Sequence, residues 1–158
     1  MAYRIRPFRK EDAGALANLA VRAIQTIGPR AYSSEQVGAW CARHGDAARY
    51  CEQARDGHLI LVAVDQADHA CAYVLLESGG HLDHLYCDPG HTRQGLAESL
   101  LAEAEIAARN EGTTRLFTEA SELARPAFER AGYRVTHRRD FEVDGVPIHN
   151  FAMEKALA

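Results

Sequence analysis

From His81 to Glu111 the chain reads HLDHLYCDPGHTRQGLAESLLAEAEIAARNE, and the chemistry these residues could do is anion binding. A strand pattern, a Pro/Gly loop and a long amphipathic run follow one another, with Gly95 where the loop becomes a helix. The first turn of a helix leaves backbone N–H groups without intrahelical acceptors and carries the positive end of the macrodipole, so an anion docks there favourably. Gly95 lets the backbone approach such an anion closely, Ala97 keeps the next turn slim, and Arg93 adds a fixed positive charge. The stretch reads as a seat for a phosphate or pyrophosphate. Just upstream, His81 and Asp83 share one face of a strand, while His84 points the other way if the strand is regular.

That opposition sets aside a metal site made of His81, His84 and His91, and no metal is expected. The four cysteines, Cys41, Cys51, Cys71 and Cys87, lie far apart without C-x-x-C spacing and read as reduced, buried small residues. A formal charge of -4 and a pI near 6.0 argue against nucleic acid as a partner. The opening MAYRIRPFRKEDAG has no apolar run, and no segment approaches the roughly 20 apolar residues of a spanning helix, so no membrane partner and a cytoplasmic location are expected.

The elements that must position these residues follow from hydrophobic period. At 158 residues the chain is the size of one domain. Tyr3 to Phe8 alternates as a strand, and Ala13, Leu16, Ala17, Ala20, Val21, Ile24 and Ile27 then recur at helical spacing until Gly28-Pro29. Ser33 and Gln36 suit a capping box for a second helix, on which Val37, Trp40, Cys41 and His44 share a face. A short helix from about Asp46 to Arg55 follows. HLILVAVD and CAYVLLES form a hairpin, Gly79-Gly80 turns into HLDHLYC, and the helix after Gly95 runs to a cap at Gly112. Arg115 to Glu119 is a strand, Leu123 to Arg130 a helix with Pro126 in its first turn, and a last hairpin turns at Asp144-Gly145. This order predicts one α/β domain with a mixed, mostly antiparallel sheet of about seven strands, flanked by helices on both faces. A Rossmann-type nucleotide fold would need G-x-G-x-x-G after the first strand, and the glycine loop instead follows the fourth.

With that order of elements, three motifs resemble the GCN5-related N-acetyltransferase (GNAT) family. Leu85-Tyr86-Cys87-Asp88-Pro89 is similar to the family's LYVxP, with Cys87 for valine. Thr92-Arg93-Gln94-Gly95-Leu96-Ala97 is similar to Q/R-x-x-G-x-G/A, with Thr92 at the first position. Phe128-Glu129-Arg130-Ala131-Gly132-Tyr133 is similar to Y/F-E-K-x-G-F. The resemblance implies acetyl-CoA as cosubstrate, its pyrophosphate on Thr92 to Ala97 and its pantetheine arm along Leu85, Tyr86 and Cys87, where the central strand splays from its neighbour. One backbone N–H there would polarise the thioester carbonyl. It also implies Ser121, where the family often has asparagine, and Phe128 beside the cosubstrate. Where many relatives carry a tyrosine that protonates the leaving thiolate, Phe128 has no proton to give.

Acetyl transfer to an amine needs the neutral nitrogen, and a primary amine of pKa ~10.4 is almost wholly protonated at pH 7. The family often places a glutamate at the position of His81. A histidine with a pKa of ~6.5 can take that role, with Asp83 raising its pKa and Glu119, ending the next strand, as a rival base. The resemblance implies an acceptor pocket built by the N-terminal helices, with Tyr32, Gln36 and Trp40 as lining and His149 or Asn150 on its rim. The activity expected is N-acetylation of a small-molecule, amino-acid or peptide amine in a ternary complex. Phe128 motivates the alternative, a non-catalytic acyl-CoA sensor. A homodimer through the terminal strands is the family's common assembly.

Overall fold

The structure is a computed structural model that describes residues 2–157, and the change of period at His58 marks its passage from helices to strands. After β1 (Arg4–Pro7) come α1 (Ala13–Ile27), α2 (Ser34–Cys41) and α3 (Ala48–Arg55). Then follow β2 (Leu59–Val64), β3 (Ala70–Leu76), β4 (Leu82–Cys87), α4 (Leu96–Asn110), β5 (Arg115–Ala120), α5 (Arg125–Arg130), β6 (Arg134–Val143) and β7 (Val146–Ala156). The α2 capping box forms as expected, with the Gln36 N–H on Ser33 Oγ at 3.1 Å and the Ser33 N–H on Gln36 Oε1 at 2.9 Å. His44, however, lies beyond the end of α2, in the turn that leads to α3.

The seven strands are antiparallel within two sheets, not one continuous sheet, ordered β1-β2-β3-β4 and β5-β7-β6. The sheets meet where β4 begins. His81 bridges to Phe117 in parallel, the Phe117 N–H donates to the Gly80 carbonyl at 3.0 Å, and the Thr118 hydroxyl donates to the Leu82 carbonyl at 2.7 Å. Beyond Leu82 the strands β4 and β5 part. Alternation decides the layers: Ile60, Val62 and Val64 pack with Leu16 and Ala20 of α1, while Leu61 and Ala63 pack with Leu100 and Ala104 of α4.

Strict alternation fails at one place. Leu76 opposes Leu82 and Leu75 opposes His84, so Asp83 is an extra residue, a bulge in β4. Leu82, Leu85 and Cys87 therefore belong to the α4 face, whereas Tyr86 packs on the α1 face and His84 meets Tyr50 and Tyr73 there. The expectation that His84 opposes Asp83 rested on a regular strand. The bulge overturns it: both border the same cavity, with His84 Nε2 3.5 Å from an Asp83 oxygen.

Gly80 makes the junction of the two sheets feasible. Its φ is +105°, and a Cβ there would lie 2.2 Å from the Arg115 carbonyl oxygen, a backbone atom that cannot step aside. Gly80→Ala is expected to destabilise by about 2 kcal/mol or more, lowering Tm by roughly 4 °C or more. Gly14→Ala, at an exposed helical position with open space around it, should leave Tm unchanged or raise it. Calorimetry showing equal Tm values for the two variants would contradict this reading of the junction.

Candidate active site

The bulge fixes which backbone groups of β4 are free. The Asp88 N–H donates to Cys71 of β3 at 2.8 Å, so by antiparallel alternation Tyr86 also bonds β3 while Leu85 and Cys87 face away. They face the gap left by β5. Against this bare edge lies an apolar slot of about 160 Å³, lined by Leu85, Tyr86, Cys87, Ala97, Ser121 and Ala124, with Ile24 and Trp40 across from them. Cys87 is no nucleophile here, because burial pushes its thiol up to about 11 and its S–H points at the His91 carbonyl.

At one end of the slot stands the N-terminus of α4. Gly95 is its N-cap with φ +77°, and Arg93 also adopts a left-handed φ of +61°. Among the described residues no carbonyl accepts from the N–H groups of residues 93 to 98, and a Cβ on Gly95 would project into open space. Arg93 and Gln94 are exposed, and the Thr92 hydroxyl has only a long 3.5 Å contact with the Pro89 carbonyl. Leu96 differs from the rest of the loop: its side chain is buried in the core, so only its backbone faces the seat. Asp88 braces the loop, accepting from the Gly90 N–H at 3.0 Å and pairing with Arg22 of α1.

A second, polar cavity of about 360 Å³ opens where β4 and β5 diverge, and it meets the slot at Trp40, Leu85, Tyr86, Ser121 and Ala124. Asp83 and Glu119 border it, and His81 stands behind them with both ring nitrogens engaged. Nε2–H donates to Glu119 at 2.8 Å, and Nδ1–H donates to Glu77 in a very short contact. The Glu119 carboxylate, then the one at Glu77, push the His81 imidazole up to about 9 despite its burial. His81 thus carries both protons at neutral pH. Glu119 is held below its ordinary pKa by His81, whereas burial, reinforced by the charge of Glu77, raises that of Asp83.

Glu77 escaped the sequence reading, although the turn between Glu77 and His81 gave the signal. Gly79 and Gly80 both have positive φ, and the Glu77 N–H reaches the His81 carbonyl at 2.8 Å, which folds Glu77 back onto His81. Glu77, His81 and Asp83 offer donor atoms within 4.8 Å of one another. A metal there would have to displace one proton of His81, the other staying on the second ring nitrogen.

His44, also missed, faces the cavity beside His84, their ring centroids 4.9 Å apart. Burial lowers His44 to about 3 and His84 to about 4, so both rings are neutral at pH 7. Tyr73 meets Nδ1 of His84 at 3.0 Å, and Tyr86 meets Nε2 of His44 at 3.1 Å while accepting from the Trp40 indole N–H at 3.2 Å. Tyr32, Trp40 and His149 line the cavity, with the Tyr32 hydroxyl donating to the His149 carbonyl at 3.0 Å. Gln36 does not. Its amide N–H donates to the Pro147 carbonyl at 2.9 Å, so it fastens α2 to β7. Ser121 borders both cavities and accepts the Ala124 N–H at 3.1 Å. Phe128, 2% exposed, closes the cavity floor edge-on to Tyr133.

The folded-state pKa of His81 lies above the ordinary 6.5, so its ion pairs stabilise fully below about pH 6.5 and lose that contribution as pH rises through about 9. The Tm penalty of His81→Gln is accordingly expected to be largest in mild acid and to shrink above pH 9. An NMR titration should find the His81 imidazole still protonated at pH 8; deprotonation near pH 6.5 would contradict the double ion pair.

The description "Acetyltransferase (GNAT) domain" fits residues 29–155. The chain is 29% identical over 150 residues to the uncharacterized N-acetyltransferase YafP of Escherichia coli (strain K12), covering 95% of this chain and 93% of that protein. A GCN5-related N-acetyltransferase from Rhodopseudomonas palustris superposes with a TM-score of 0.90 at 29% identity, over 99% of this chain and 97% of that one. The PaiA N-acetyltransferase of Thermoplasma acidophilum, solved in complex with coenzyme A, shares the fold with a TM-score of 0.80 at 20% identity, over 99% of both chains. With the family's domain spanning most of its length and the same fold in its relatives, the chain belongs to the GNAT acetyltransferases.

Proposed function

We propose that this chain transfers the acetyl group of acetyl-CoA to a primary amine of a small molecule, amino acid or peptide by direct attack in a ternary complex. The observation that carries this reading is the meeting of an apolar slot and a polar cavity on the bare edge of β4. The slot suits the pantetheine arm, which would bond the free backbone groups of Leu85 and Cys87. The N–H groups at the start of α4, with Arg93, would take the pyrophosphate. Neighbours in fold solved with coenzyme A or acetyl-CoA support the same cosubstrate here.

The amine would enter through the polar cavity. An ammonium group is drawn there by Asp83 and Glu119, and one carboxylate must then take its proton. His81 is saturated with protons at neutral pH, so the role of base passes from it to Asp83, whose raised pKa suits proton acceptance better than that of Glu119. His81 instead holds Glu119 in place. As nitrogen attacks, a free N–H of β4 stabilises the oxyanion. Ser121 borders both cavities, and its hydroxyl proton can meet the departing thiolate in place of the acid that Phe128 lacks. A thiol of pKa ~8.5 leaves readily enough to need little help. The sensor reading draws on Phe128, but the paired carboxylates facing the cavity favour chemistry.

Thiol release from acetyl-CoA with a panel of amines tests the reading. Asp83→Asn is expected to lose about 100-fold in kcat at pH 7, with the loss shrinking towards pH 10, where the amine deprotonates unaided. An equal loss at both pH values would deny Asp83 the base role. On the donor side, Gly95→Glu should weaken CoA binding about 10-fold or more in calorimetry by placing a carboxylate in the anion seat. Gly95→Ala, with the same backbone strain and no charge, should weaken it far less; equal losses would mean the loop's shape alone matters.

A further inference from the structure

Of the arginines on the last hairpin, Arg134 pairs with Glu154 and Arg138 forks onto Asp140 at 3.0 Å, but Arg139 has no carboxylate within ion-pair distance among the described residues. It is held all the same. Nη1–H donates to Asn150 Oδ1 at 3.0 Å, and the guanidinium carbon sits 4.9 Å from the centroid of the Phe141 ring. One amide and one aromatic face thus fix a half-buried guanidinium, and its remaining N–H groups stay open beside the polar cavity that Arg139 lines. A planar fork held in this way is preorganised for bidentate bonding to a carboxylate.

The strand register relates this cation to the carboxylates. Glu119 opposes Ala152 and Arg139 opposes Asn150, so the two lie on one face of the β5-β7-β6 sheet, two residues apart along β7. Strand spacing and rise put their Cα atoms roughly 12 Å apart, and the long side chains shorten the distance between charges. Asp83 stands on the facing wall, from β4. Between the charges the cavity is walled by Trp40, Phe141, Val143 and Ile148.

We propose that the acceptor is an amino acid with an apolar or aromatic side chain, its carboxylate held by Arg139 and its amine presented to Asp83. This rests on the acetyl-transfer reading of the same site and narrows its acceptor. Arg139 is then a specificity-determining residue: it grips the group that distinguishes an amino acid from a simple amine and takes no part in the proton transfer. His44 and His84, both neutral, add no charge to the cavity, and Arg43, which also borders it, lies 3.8 Å from the Asp144 carboxylate.

The test uses leucine, methionine, phenylalanine and tryptophan, their amides and their decarboxylated amines. At least one amino acid should exceed its amide and amine in kcat/KM by roughly 10- to 100-fold, the range of a hydrogen-bonded charge. Arg139→Gln should remove that preference through KM while leaving turnover of the amides nearly unchanged, and Arg139→Lys should restore it in part. Amides and amines used as well as the acids, or an equal loss on all substrates, would overturn the proposal. Calorimetry of the same compounds with the CoA-loaded protein separates it from the acetyl-transfer reading. Amino-acid binding abolished by Arg139→Gln supports carboxylate capture even without turnover, and no amino-acid binding to the wild type overturns it.

Discussion

The site depends on one extra residue in a strand. Had β4 run regularly into a seven-stranded sheet, every backbone group beyond Leu82 would be spent on β3 or β5, and no edge would remain for a ligand. The bulge at Asp83 changes the bonding phase of β4 and its side-chain phase together. Among the described residues, Leu85 and Cys87 are left unpaired on the side where β5 has turned away, and Asp83 and His84 are brought to one cavity. The cost is the unmet N–H and C=O groups of Leu85 and Cys87, which a bound amide-rich chain can satisfy. Shape and chemistry share one cause.

Electrostatics divide the site into fixed and free charges. His81 lies between Glu77 and Glu119, and the three together carry one net negative charge whose geometry is locked. Asp83, by contrast, makes no hydrogen bond to these three among the described residues: neutral His84 lies 3.5 Å from its oxygen, and burial, with the charge of Glu77, raises its pKa. In the reaction we propose, the locked group orients and Asp83 takes the proton. Arg139, held by Asn150 and Phe141 without a carboxylate, is the free charge of opposite sign. A cavity bordered by Asp83 on one wall and Arg139 on another is complementary to a zwitterion.

Much of the fold was legible because local rules agree along the chain. The helix stop at Gly28-Pro29, the Ser33/Gln36 capping box, the Asp144-Gly145 turn and the Gly95 helix start all form where their chemistry predicts. The loop before α4, with its open N–H groups, was legible for the same reason: its determinants are contiguous. What stayed hidden depends on pairing between distant segments. Nothing in HLDHLYC shows which residue bulges, since that is decided against β3, and so the side of His84 was misjudged. Gln36 satisfied a helical-face argument but was captured by the Pro147 carbonyl, and His44 entered the site from a turn. Arg139 is one of several arginines in RRDFEV, and only the partners of its neighbours single it out.

The central claim is that the bulge bares the Leu85 and Cys87 amides for the pantetheine arm while leaving Tyr86 bonded to β3. Amide hydrogen exchange, resolved at these three residues with and without CoA, measures this directly. In the free protein the Tyr86 amide should exchange slowly and those of Leu85 and Cys87 quickly. CoA should slow at least one of the two fast amides markedly and leave Tyr86 as it was. Three amides equally protected before CoA is added, or no change on saturation, would contradict the account.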